Sequence, residues 1–80
     1  MSNPKYIRAD LAHSAPHAIE EAGEFIQAAA KALRWGWDST NPELPPGQRE
    51  TNEAWVRREM ADLRQALNRL ETALDEERGS

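Results

Sequence analysis

The sequence predicts an all-α protein, a helical hairpin of two long helices. Three observations predict it. Apolar residues recur at three- and four-residue spacing in two long blocks, no stretch alternates with the period of a strand, and one proline-rich segment separates the blocks. The 80 residues make a single small domain, 1–80. A chain of this length buries a modest share of its surface, and two helices alone cannot enclose a core. Completion of a four-helix bundle by homo-oligomerisation, as a dimer or a tetramer, is therefore expected.

The elements follow in order. Residues 1–13 show no sustained period and read as an arm or a short helix. Ser14 suits an N-cap, and Pro16 is tolerated in a first turn, so a helix is expected over 15–36. Gly36 is its stop signal, with Lys31 and Arg34 in the last turns, where cations suit the helix dipole. Residues 38–50 hold Asn41-Pro42 and Pro45-Pro46-Gly47 and read as a loop. At roughly 13 residues, that loop has a length at which loops tend to carry function. Thr51 or Asn52 caps a second helix over 51–77, about 40 Å long at the usual rise.

Composition excludes several classes. The net charge of −4 and the pI of about 5.1 argue against non-specific nucleic-acid binding. There is no cysteine, so disulfide frameworks and thiolate metal sites are ruled out. No apolar run reaches the roughly 18 residues that span a membrane, and the N-terminus lacks a signal-peptide pattern. The expectation is a soluble intracellular protein without nucleic-acid or membrane partners.

The faces of the helices are more informative. In the first, Ile19, Ala22, Ile26, Ala29 and Leu33 make one apolar seam. Glu21, Glu24, Ala28, Lys31 and Trp35 follow the same spacing on a different side, with Phe25 and Ala32 between. So much apolar or small surface suggests contacts on more than one side. In the second helix, Val56, Leu63, Ala66, Leu70 and Ala73 mark a seam broadened by Met60, Leu67 and Leu74. Glu59 lies inside that stripe and Asp62 flanks it. A carboxylate in such a place is costly unless a cation or hydrogen bonds compensate.

The acidic pattern is E-E-x-x-E at Glu20, Glu21 and Glu24, then E-x-x-D at Glu59 and Asp62. A spacing of three puts two carboxylates on one helix face. Facing pairs from antiparallel helices would gather four or five carboxylates around one point, and such a charge needs cations. Hard oxygen donors, without cysteine or a well-placed histidine, favour Mg²⁺, with Mn²⁺ as the alternative, over zinc.

With Lys31 and Arg34 as K-x-x-R between the two motifs, the stretch from Ile19 to Leu70 resembles the MazG-like branch of the all-α nucleoside triphosphate pyrophosphohydrolases. The segment "EEAGEFIQAAAKALRWGWDS" is especially like the small phage and bacterial members. The resemblance implies Mg²⁺-dependent hydrolysis of a nucleoside triphosphate to the monophosphate and pyrophosphate, for nucleotide-pool control, in the cytoplasm of a bacterium or a phage-infected cell. It implies Glu21, Glu24, Glu59 and Asp62 as metal ligands and Glu20, with Glu21, in the activation of water. It implies Lys31 and Arg34 on phosphate oxygens, Trp35, Trp37 and the loop to Gln48 around the base, and Asn52 as a further nucleotide contact. Many members carry further helices with phosphate-binding residues after the E-x-x-D helix, and this chain ends soon after Leu74. A second subunit would have to supply such groups, with Arg57, Arg58, Arg64 and Arg69 as candidates.

Blander readings compete. Glutamates at a helix start are ordinary dipole partners, Lys31 and Arg34 suit a helix end, tryptophans usually pack, and Asn52 is most simply a cap. His13, His17 and Glu21 have metal-ligand spacing for one helix, but a helix start at Ser14-Ala15-Pro16 would break that register. The rival to an enzyme is a non-catalytic helical module that dimerises or binds a protein. That rival gives no reason for Glu59 inside the apolar stripe.

Overall fold

The computed structural model describes residues 9–40 and 44–79. Two long helices form an antiparallel hairpin: α1 is Ala9–Trp35 and α2 is Asn52–Gly79, with a single 3-10 turn at Pro46–Gln48 between them. The described residues contain no strand, only an isolated antiparallel bridge between Thr40 and Thr51. No described helix is long and apolar enough to cross a membrane.

The turn between the helices is held by backbone and capping groups. Gly36 takes a positive φ of 103° and donates its N–H to the Ala32 carbonyl at 2.9 Å, which closes α1 as the sequence predicts. Thr51 is the cap of α2, its Oγ1 accepting the Ala54 N–H at 3.1 Å. The Asn52 N–H donates to the Ser39 carbonyl and the Glu53 N–H to the Trp37 carbonyl. The buried Asn52 side chain then donates to the Gly36 carbonyl at 2.9 Å. The end of one helix is thereby tied to the start of the other, which fixes their register.

The N-terminal boundary differs from the sequence expectation. Of the residues read as an arm over 1–13, those from Ala9 onward are helical, and the first eight lie outside the described residues. Pro16 sits inside α1 rather than in its first turn. A proline there removes one intrahelical bond to the Ala12 carbonyl. Both Ala12 and Pro16 are exposed, so water can reach that carbonyl. What keeps the helix running is packing: α2 extends far enough for Asp10 and Ser14 to share a groove with Ala73 and Glu76. Asp10 also accepts the Leu11 N–H at 3.0 Å, at the end of the helix where a carboxylate is favoured.

The helices meet through small residues. Ala28, Ala32 and Val56 form the buried centre, with Phe25 and Trp55 packed against it. Ala18, Ala66 and Ala73 continue the contact toward the open end. Among the described residues no large side chain is fully buried, and the molecule measures 50 × 19 × 17 Å, the thickness of one helix pair. The seam of Ile19, Ile26 and Leu33 faces outward, with exposures of 74%, 64% and 77%. Of the two apolar sides of α1, the hairpin uses the one that also carries Glu21.

A helix through Pro16 predicts that Pro16→Ala restores a backbone bond and raises stability by about 1–3 kcal/mol, with a gain in helical ellipticity. Urea unfolding followed by circular dichroism measures both. A helix starting at Ser14 would show neither gain, because a first-turn proline costs nothing.

Candidate metal centre

The carboxylates arrive from both helices because the small residues let the axes close. Glu21 lies one turn N-terminal to the Phe25–Ala28 contact on α1, and Glu59 lies one turn past Val56 on α2. Glu21, Glu59 and Asp62 bring one carboxylate oxygen each to within 4.8 Å of one another. Asp62 reaches the group because it stands three residues past Glu59 on the same helix face.

Glu59 is the demanding member. It is only 5% exposed, and its Oε2 is buried without a hydrogen-bond partner. The Oε2 of Glu21 is likewise buried and unpartnered. A buried acceptor left unsatisfied costs about 1–3 kcal/mol, and a charged one more. Two such atoms within one cluster of like charge are donors that a cation could satisfy.

Among the described residues, no cationic side chain bonds these two oxygens. Arg58 donates from Nη1 to Glu59 Oε1 at 3.3 Å and from Nη2 to Glu50 Oε1 at 2.6 Å. The hydrogen bond to Glu50 raises the pKa of the guanidinium, and the charges of Glu59 and Asp62 act in the same direction. Arg58 is more than half exposed, however, so its pull on Glu59 is screened by water, and it touches Oε1 rather than the orphaned oxygen.

The remaining sequence candidates are distributed around this centre. Glu20 and Glu24 are exposed on α1 and are not in the three-carboxylate group. His13, His17 and Glu21 do share one continuous helix, contrary to the break expected at Pro16. The two imidazoles stack at 6.4 Å, and His17 Nε2 lies 4.0 Å from Glu21 Oε1. Lys31 places its ammonium 5.0 Å over the ring of Trp55, and both line an open groove of about 300 Å³ with Gln27, Leu44, Asn52 and Arg58. Arg34 stands 5.8 Å over Trp35 instead. Trp35 and Trp37 are exposed and line neither this groove nor the one near Asp10. Arg57 pairs with Glu53 at 2.9 Å.

Trp55 was not singled out by the sequence as the aromatic of the groove. The available signal was its position four residues before Glu59, which puts it on the same side of α2 one turn away. Comparison with protein-family models, with curated proteins and with solved structures gave no match.

An uncompensated Glu59 predicts that Glu59→Gln melts at or above the wild-type temperature in metal-free buffer. Mg²⁺ or Mn²⁺ should raise the melting point of the wild type and leave that of the variant unchanged, since only a ligand bound to the native state stabilises it. Differential scanning calorimetry with and without the ions measures this. A variant that melts lower without metal, or gains as much from it, contradicts the assignment.

Proposed function

We propose that this chain is a divalent-metal-dependent nucleoside triphosphate pyrophosphohydrolase of the MazG-like type, acting as a homo-oligomer. The observation that carries the reading is the buried Glu59, with an unpartnered Oε2, whose carboxylate comes within 4.8 Å of those of Glu21 and Asp62. The donor set fits Mg²⁺ or Mn²⁺: carboxylate oxygens only, with neither histidine within the group. Glu21, Glu59 and Asp62 would hold the ion, and Glu24, one turn from Glu21 at the open edge, is the fourth ligand that the resemblance implies. When bound, such an ion polarises a phosphate oxygen and lowers the pKa of a coordinated water.

The chain's own residues do the rest. Glu20 or Glu21 accepts the proton as a water oxygen attacks the α-phosphorus. The bond from that phosphorus to the α–β bridging oxygen breaks, and pyrophosphate leaves. Lys31 stands in the neighbouring groove as a cation for the phosphate chain, and Arg58 is a second one if substrate draws it from Glu50. The groove's aromatic wall is Trp55, so base stacking is assigned there ahead of Trp35 and Trp37. Asn52 lines the same groove while its amide donates to the Gly36 carbonyl, and its free carbonyl oxygen is the atom left to meet a nucleotide.

A non-catalytic interaction module is favoured by one observation, the outward Ile19–Leu33 seam. That seam serves an oligomeric enzyme equally well, whereas the buried Glu59 carboxylate serves an interaction module poorly.

Incubation with Mg²⁺ and a panel of ordinary and modified nucleoside triphosphates should yield monophosphate and pyrophosphate in equal amounts. Glu59→Gln should lower kcat by roughly 100-fold or more, as expected when an ion that activates the nucleophile is lost. Trp55→Ala should raise KM by about tenfold, in keeping with ~1–3 kcal/mol for a stacked base. The absence of turnover with every nucleotide, together with no metal-dependent stabilisation, sinks the enzyme reading.

A further inference from the structure

The two histidines of the chain, His13 and His17, take no part in the carboxylate centre, yet both lie on α1, four residues apart. A spacing of four puts their side chains on one helix face, one turn above the other. That face exists because α1 runs unbroken through Pro16, which stands between them. The rings lie nearly parallel, 9° between their planes, with centroids 6.4 Å apart.

The pair is open to solvent. His13 is exposed, and the His17 side chain is 36% exposed. Among the described residues neither ring makes a hydrogen bond, since the Glu21 Oε1 beside His17 Nε2 is 4.0 Å away. A neutral imidazole carries one nitrogen with a lone pair, so the two rings present two nitrogen donors on one face. Imidazoles that share one tetrahedral ion through bonds of about 2.0–2.1 Å place their centroids roughly 5 Å apart. Closing to that distance takes little side-chain rotation, which rings outside the packed core can make.

Glu21 is a second, independent sign. Its Oε1 stands next to His17, and its Oε2 is buried without a hydrogen-bond partner. A cation on the histidine pair would place a positive charge beside a carboxylate whose acceptors are unmet. Pro16 adds a third. It removes the backbone bond to the Ala12 carbonyl, and the histidines flank that stretch of α1. An ion bridging residues 13 and 17 would tie the helix together where its own hydrogen bonding is interrupted.

We infer that His13 and His17 chelate a transition-metal ion of the Zn²⁺ class, at a site separate from the carboxylate centre. Water fills the remaining positions of the ion, and Glu21 stands beside it as counter-charge. The donors decide the class: imidazole nitrogen suits Zn²⁺, Ni²⁺ or Cu²⁺, whereas an all-oxygen set suits Mg²⁺ or Mn²⁺. The chain thus sorts cations along α1, with nitrogen donors on the turn from His13 to His17 and oxygen donors from Glu21 across to Glu59 and Asp62.

The inference rests on the continuity of α1 and not on the hydrolase reading, and its test involves no turnover. With two histidines in the chain, proton NMR follows their ring signals directly on the full, untagged protein. Zn²⁺ is titrated in the presence of excess Mg²⁺, which competes for an all-oxygen site. Both ring signals should move together and stop moving at one Zn²⁺ per chain, and the melting temperature should rise. His13→Gln and His17→Gln should each weaken zinc binding at least about tenfold, since even an outer-shell group is worth roughly 10–100-fold in metal affinity. Glu59→Gln should keep the wild-type zinc affinity. Ring signals that ignore one equivalent of Zn²⁺ overturn the inference, as does wild-type affinity in His13→Gln or His17→Gln. Zinc binding lost in Glu59→Gln and kept in His13→Gln overturns it by placing the ion among the carboxylates. Saturation at one Zn²⁺ per two chains overturns it by making the ion a bridge between copies.

Discussion

The close contact of α1 with α2 through Ala28, Ala32 and Val56 is the constraint on which the rest depends. Small residues bring the two backbones together, and a carboxylate from each helix is drawn against the seam. On α1 that residue is Glu21, one turn before Phe25, and on α2 it is Glu59, one turn past Val56. A wider helix pair built on leucines would leave both carboxylates in water, where they would cost nothing and hold nothing. The acidic centre is thus a consequence of how closely the helices approach, as much as of the acids themselves.

The turn serves the same end. Gly36, Thr51 and Asn52 fix the register between the helices, and a slip of one residue would rotate Glu59 and Asp62 away from Glu21. The buried Asn52 amide, tied to the Gly36 carbonyl, is therefore a structural group. The cation–π pair of Lys31 and Trp55 lies between this turn and the carboxylates, so cation, aromatic wall and acidic centre follow one another along one side of the hairpin.

Much of this was legible in the sequence, and for identifiable reasons. The stop at Gly36, the cap at Thr51 and the place of Glu59 within an apolar stripe are local features, and the fold shows the stop, the cap and a buried Glu59. The start of α1 was not legible, because Pro16 is a local signal against helix that packing against the far end of α2 overrides. Nor was the inward face of α1. Two apolar sides compete there, and Val56 and Trp55 on the partner helix decide the choice rather than the period of α1 itself. The choice of Trp55 over Trp35 and Trp37 as the aromatic of the groove follows from the same interhelical register, which no single helix reveals.

The central claim is that Glu21, Glu59 and Asp62 are held together to bind a divalent cation. Electron paramagnetic resonance of Mn²⁺ tests it most directly, because the sharp spectrum of the aquo ion is lost when the ion is bound. Adding the protein should diminish that signal to a saturating level set by the protein concentration, and Mg²⁺ should restore it by competition. A free-ion signal undiminished by an excess of folded protein would contradict the account.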